Sequence, residues 1–135
     1  MTVQLNHTIV AAHDKHTSAR FLADLLGLQV SPQYGPFIPV VIPNGVTLDF
    51  MDHPGSGSGS GGIAPQHYAF LVSEDDFDVI FGRIRAAGLT YWADPAHRRE
   101  GEINTNDGGR GTYFDDPNGH SLEILTRPYG SGLTG

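Results

Sequence analysis

Apolar and polar residues alternate along residues 3–12, with Leu5, His7, Ile9 and Ala11 on one side and Asn6, Thr8, Val10 and Ala12 on the other. Period two predicts a strand. The spacing then changes. Phe21, Leu22, Leu25 and Leu26 recur at helical intervals, cap candidates precede them at 14–17, and Gly27 offers a stop, which predicts a helix over 15–26. β-branched runs at 37–42 and 46–51 flank Pro43-Asn44-Gly45 and read as a hairpin. Residues 55–62 are only Gly and Ser, a flexible linker spanning about 16 Å by random-coil scaling.

The pattern restarts after the linker. Residues 66–72 read as a strand and 74–87 as a helix, with Phe77, Ile80, Phe81 and Ile84 on one face and Gly88 as its stop. A brief strand at 90–92 leads into a polar loop over 94–109. Strands at 111–114 and 120–125 flank Pro117-Asn118-Gly119, and a frayed tail is expected at 130–135.

The two halves align. Asn6-His7-Thr8-Ile9 matches Gln66-His67-Tyr68-Ala69, Leu26-Gly27-Leu28 matches Ala87-Gly88-Leu89, and the two Pro-Asn-Gly turns lead into Val46-Thr47-Leu48-Asp49-Phe50 and His120-Ser121-Leu122-Glu123-Ile124. A repeated strand–helix–three-strand unit implies two similar modules, 3–52 and 66–127, joined by a linker at 53–65. Period two puts Asp49 and Glu123 on the sheet face opposite the apolar residues that pack the helices. If the sheets curl around a cavity, each module aims one first-strand histidine and one last-strand carboxylate into it.

Composition adds exclusions. The chain has 135 residues, with 18 Gly and 9 Pro, which suits many short strands better than a helix bundle. Its net charge of −7 argues against nucleic acid as a partner. Zero cysteine excludes disulfides, thiolate metal sites and cysteine nucleophiles. No apolar run approaches membrane-spanning length, so the expectation is a cytoplasmic protein without a membrane partner. His13, His16, His53 and His97 fall in caps or loops and read as solvated; His120 faces the helix side by parity. Arg98, Arg99 and Arg110 flank the long loop, which could cover a cavity mouth.

The chain resembles the vicinal oxygen chelate superfamily, also called glyoxalase/bleomycin-resistance/dioxygenase. The resemblance spans nearly all of 3–127. It rests on His7, on Gln66-His67-Tyr68, and on the run from Tyr113-Phe114-Asp115-Asp116 through Pro117-Asn118-Gly119 to His120-Ser121-Leu122-Glu123. It implies an α+β fold: a single glyoxalase-like domain of two paired βαβββ modules forming a U-shaped half-barrel around a cavity. It implies a divalent metal (Fe2+, Mn2+, Co2+, Ni2+ or Zn2+) on His7, His67 and Glu123, with Asp49 at the place of a fourth ligand but one methylene shorter than the family's glutamate. Two imidazoles and a carboxylate leave positions open for a substrate's adjacent oxygens.

Glu123 and Tyr113 are then the catalytic candidates, and Arg110, Arg127 and Tyr129 the substrate contacts. The expected partners are a small-molecule substrate and, in a homodimer, a second copy of the chain. The family's reactions are thiol transfer, isomerisation and oxygenation. The His7, His67, Glu123 pattern fits the fosfomycin thiol transferases best. The ring-cleaving dioxygenase signature is incomplete, since residues 101–112 hold no histidine. A metal-free, drug-binding protein like the bleomycin-resistance proteins is the alternative.

Overall fold

The structure is a computed structural model describing residues 1–54 and 62–132. It divides into two compact units, Met1–Ala64 and Pro65–Gly135, and the division falls inside the segment read as a linker. Most of the Gly/Ser run lies outside the described residues.

In the first unit, β1 (His7–Ala12) is followed by α1 (Lys15–Leu26), β2 (Ile38–Val41) and β3 (Thr47–Asp52). Their sheet order is β1-β3-β2, with β1 parallel and β2 antiparallel to the central β3. The Asp14 carboxylate starts α1 by accepting from the backbone N–H groups of His16 (2.9 Å) and Thr17 (3.1 Å). Gly27 ends the helix at φ 73°, in the left-handed region. The buried stripe of α1 is Ser18, Ala19, Leu22, Ala23 and Leu25, which keeps Leu22 and Leu25 of the expected face and leaves Phe21 and Leu26 at its edges half-buried. Small residues let the helix lie close to Val10, Ala12, Leu48 and Phe50, all buried. The strand expected between helix and hairpin is reduced to a single bridge, Val30 to Val40.

The second unit carries the full βαβββ order: β4 (His67–Leu71), α2 (Glu74–Ala86), β5 (Tyr91–Trp92), β6 (Gly111–Asp115) and β7 (Ser121–Leu125). The sheet order is β4-β7-β6-β5, with β4 parallel to β7 and the remaining pairs antiparallel. Ser73 caps α2 by accepting from Asp76 N–H at 3.0 Å. Glu74, Asp75 and Asp76 in its first turn and Arg83 and Arg85 in its last complement the helix dipole. Phe77, Ile80 and Ile84 are buried on the sheet with Phe114, Leu122 and Ile124.

The repeat extends to the turns. Gly45 (φ 94°) and Gly119 (φ 87°) hold the same left-handed position after Pro-Asn. Gly45 N–H bonds Ile42 O and Gly119 N–H bonds Asp116 O.

The tail is not frayed where it is described. Residues 128–131 close a turn through Ser131 N–H to Pro128 O (3.1 Å), and Gly132 N–H donates to Asp107 Oδ1 at 3.0 Å. His97 is exposed, as expected of a loop residue, yet it is not without contacts. Its ring lies flat on Trp92, centroids 3.6 Å apart and planes 2° from parallel, within 3.9 Å of Asp115.

Candidate functional site

The register of the second sheet builds the site. His67 lies opposite Ser121, and Ala69 opposite Glu123, so His67 and Glu123 project diagonally from one face. Tyr113 lies directly opposite Glu123 across β6 and β7. The Tyr113 ring stacks on the His67 ring, centroids 5.8 Å apart.

Glu123 is 1% exposed. A buried carboxylate requires compensating partners, and Glu123 has one at each oxygen. Its Oε1 lies 3.1 Å from Nε2 of His67. Its Oε2 accepts the phenol proton of Tyr129. The Tyr113 hydroxyl in turn meets the Tyr129 hydroxyl at 2.5 Å. Since Tyr129 spends its proton on Glu123, Tyr113 is the donor in that second contact. The result is a directed chain, Tyr113 to Tyr129 to Glu123. Burial, then the hydrogen bonds to Glu123 and Tyr113, raise the Tyr129 phenol far above its ordinary value. Burial raises Tyr113 also, against a lowering by its bond to Tyr129. Both stay protonated donors at neutral pH.

The other nitrogen of His67 fixes the tautomer. Nδ1 is 2.9 Å from the Ser121 carbonyl oxygen, which can only accept, so Nδ1 carries the proton. In the neutral ring, Nε2 then directs a lone pair at a carboxylate oxygen. That pairing is attractive only with a proton or a cation on the line between them. A histidine whose far nitrogen donates to a backbone carbonyl, next to a hydrogen-bonded carboxylate, is a standard arrangement for metal ligands. The donor set therefore fits a divalent metal on Nε2 of His67 and Oε1 of Glu123.

The first unit repeats the register. His7 lies opposite Thr47, and Ile9 opposite Asp49, the same offset that separates His67 from Glu123. His7 Nδ1 lies 2.8 Å from Asn6 Oδ1. With the proton on Nδ1, its Nε2 keeps the lone pair. Asp49, one methylene shorter than glutamate, makes no hydrogen bond to His7 among the described residues. Also among the described residues, no three His, Asp or Glu side chains gather closely enough to hold a metal on their own.

Tyr129 and Tyr113 thus join His67 and Glu123, and two other sequence candidates do not. Arg110 is held on α2: Nε bonds Glu74 Oε1 and Nη1 bonds Asp78 Oδ1, both at 2.8 Å, and the guanidinium lies 4.5 Å from the Phe77 ring centroid. Arg127 Nη2 donates to Ser131 O at 2.7 Å. His120 is fully buried, and its Nδ1 accepts from Gln66 N–H at 3.0 Å, which ties the start of β4 to the motif strand. Sequence reasoning did not single out the Ser121 carbonyl. The repeat alignment pairs Ser121 with Thr47, and only the parallel register of β4 on β7 brings its carbonyl to His67.

Comparison with known proteins places this geometry in a family. Across 98% of this chain and 99% of that one, the oxidase ChaP-H2 is 80% identical and superposes with a TM-score of 0.92. The oxidase ChaP-H1 is 64% identical over 96% of this chain and 99% of that one, with a TM-score of 0.88. The glutathione transferase FosA of Serratia marcescens is 30% identical over 92% of this chain and 81% of its own length. The profile of the Glyoxalase/Bleomycin resistance protein/Dioxygenase superfamily matches residues 4–124, and with the paired His–carboxylate registers of its two units, the chain belongs to that superfamily.

Proposed function

We propose that this protein is a metal-dependent oxidase acting on a small organic molecule with adjacent oxygen atoms. The observation that carries the reading is the 80% identity, over nearly the whole of both chains, to a protein described as an oxidase. It is supported by the His67–Glu123 pair and its fixed tautomer. In this reading His67 and Glu123 are the metal ligands of the second unit, and His7 is the third ligand. When bound, the metal supplies Lewis acidity to substrate oxygens and a centre for electron transfer.

The chain's own residues supply the rest. The Ser121 carbonyl keeps the His67 proton on Nδ1 and its lone pair toward the site. Burial of Glu123 beneath Tyr113 and Tyr129 excludes water from the carboxylate. Tyr113 stacks its ring on His67 and commits its O–H to Tyr129, which leaves its oxygen able to accept from a substrate hydroxyl. In this reading the working form is a homodimer, as the family implies, and light scattering should give twice 14.5 kDa.

Thiol transfer is the second reading, favoured by the similarity to glutathione transferase FosA. It would call for cationic side chains toward an anionic substrate, and Arg110 is already neutralised by Glu74 and Asp78.

The test is oxygen uptake across a panel of catechols, hydroxyketones and hydroxyquinones, run with protein stripped of metal and reloaded. Metal-dependent uptake that is lost in His67→Ala supports the oxidase. Glutathione consumption without oxygen uptake would move the assignment to thiol transfer.

A further inference from the structure

We propose that Tyr129 is a positioning residue for the metal ligand Glu123, held in place by a dedicated turn. The proposal deepens the metal-dependent reading above and rests on it. Glu123 has two chemically equivalent oxygens, and a carboxylate free to rotate would offer either or both to a cation. Here the Tyr129 phenol takes Oε2, so only Oε1 faces Nε2 of His67. Tyr113 then bonds the Tyr129 oxygen, leaving the phenol one orientation that serves both neighbours. The carboxylate is thereby preset to bind through one oxygen.

The backbone around Tyr129 is built to hold it there. Tyr129 occupies the second position of the turn closed by Ser131 N–H to Pro128 O. Gly130 follows at φ 79°, the third-position conformation that a type II turn reserves for glycine. Arg127 bonds Ser131 O, and Gly132 N–H bonds Asp107, so the turn is tied on both sides. The Tyr129 side remains open to solvent, at 57% relative exposure, while its hydroxyl reaches a carboxylate that is almost wholly buried. A residue retained only for packing would bury its ring. Tyr129 leaves its ring exposed and commits its hydroxyl to the carboxylate instead.

The experiment uses Co2+ as the probe on the full chain. Tyr129→Phe should weaken Co2+ binding about 10- to 100-fold, the usual effect of removing a ligand's hydrogen-bond partner. The visible spectrum of the Co2+ protein should change as the second carboxylate oxygen becomes available. In metal-free protein at fixed pH, the ring 15N resonances of His67 should move, because Glu123 is no longer held on one oxygen.

Co2+ affinity within twofold of wild type, together with unmoved His67 resonances, would overturn the proposal. A loss of affinity without either spectroscopic change would assign Tyr129 a structural role only and overturn it equally. Should Tyr129→Phe fail to fold, Gly130→Ala, which disturbs the turn alone, takes the same readouts. If wild type and His67→Ala bind Co2+ alike, the metal-dependent reading fails. The metal-free resonances then decide the positioning role by themselves: a shift in Tyr129→Phe upholds it and no shift ends it.

Discussion

The Ser121 carbonyl oxygen lies opposite His67 in parallel register and takes the proton of its Nδ1 at 2.9 Å. A backbone acceptor cannot be removed by changing a side chain, so the ring's orientation is set by the sheet itself. Ser121→Ala should therefore leave divalent-metal affinity within about threefold of wild type, whereas Glu123→Gln, which keeps the shape and removes the charge, should lower it at least about tenfold. Isothermal titration of both variants checks the contrast. A large loss in Ser121→Ala would show that the hydroxyl, and not the carbonyl, matters.

Arg110 joins α2 to the start of β6 through Glu74, Asp78 and the Phe77 ring. Each ion pair reaches an exposed carboxylate and contributes little, and the cation–π contact adds to them, so Arg110→Ala should cost about 1–2 kcal/mol in urea unfolding. Arg110→Lys should recover only part of this, because an ammonium cannot serve two carboxylates and a ring in one plane. Metal affinity should be unchanged in both. A loss of metal or substrate binding without destabilisation would return Arg110 to the substrate contacts.

The same cluster sets an acid dependence. Hydrogen bonds from Thr126 and then Arg110 hold the Glu74 carboxyl below its ordinary value of 4.5. A lowered folded value means the stabilisation is fully present above 4.5 and is lost as pH falls through the lowered value. Wild type should exceed Glu74→Gln in urea midpoint at neutral pH, and the two should converge on the acid side. Midpoints separated by a constant amount at all pH values would contradict the assignment.

Much of this fold is legible in the sequence because its signals are local. The helix limits 15–26 coincide with Lys15–Leu26, since Asp14 and Gly27 mark both ends within the same stretch of chain. The paired Pro-Asn-Gly turns do the same for the hairpins. The site's His67–Glu123 pair is legible because the repeat supplies the register that a single half would not. What escapes is long-range and geometric. Arg110 finds Asp78 and Glu74, 32 and 36 residues away on an exposed helix face, and no periodicity encodes that. Tyr129 reaches Glu123 only through the conformation of one turn. His97 reads as a loop residue, and its stacking on Trp92 depends on a left-handed backbone, φ 59°, that its residue type does not announce.

His120 is a test of the difference between site and scaffold. It is fully buried, packs edge-on against Tyr68, and accepts the Gln66 N–H. His120→Phe keeps an aromatic ring but takes that acceptor from the backbone, at a cost of about 1–3 kcal/mol. The variant should unfold at lower urea yet, while folded, bind divalent metal as wild type does. Metal loss in the folded state would place His120 among the ligands.

Asp49 is the sharper case, because the first unit repeats the register of the second with a shorter side chain. His7 and Asp49 hold the diagonal positions of His67 and Glu123. In the second unit the glutamate reaches the imidazole at 3.1 Å; in the first, Asp49 makes no such bond among the described residues. One methylene is the difference in reach. Asp49→Asn should therefore change divalent-metal affinity less than about threefold, against at least about tenfold for Glu123→Gln. Asp49→Glu restores the missing length on the same register, and should raise affinity over wild type in the same titration, an increase that the further change His7→Ala should remove. A large loss in Asp49→Asn would instead make the aspartate a ligand at its present length, and would mean that the register, not the reach of the side chain, decides coordination.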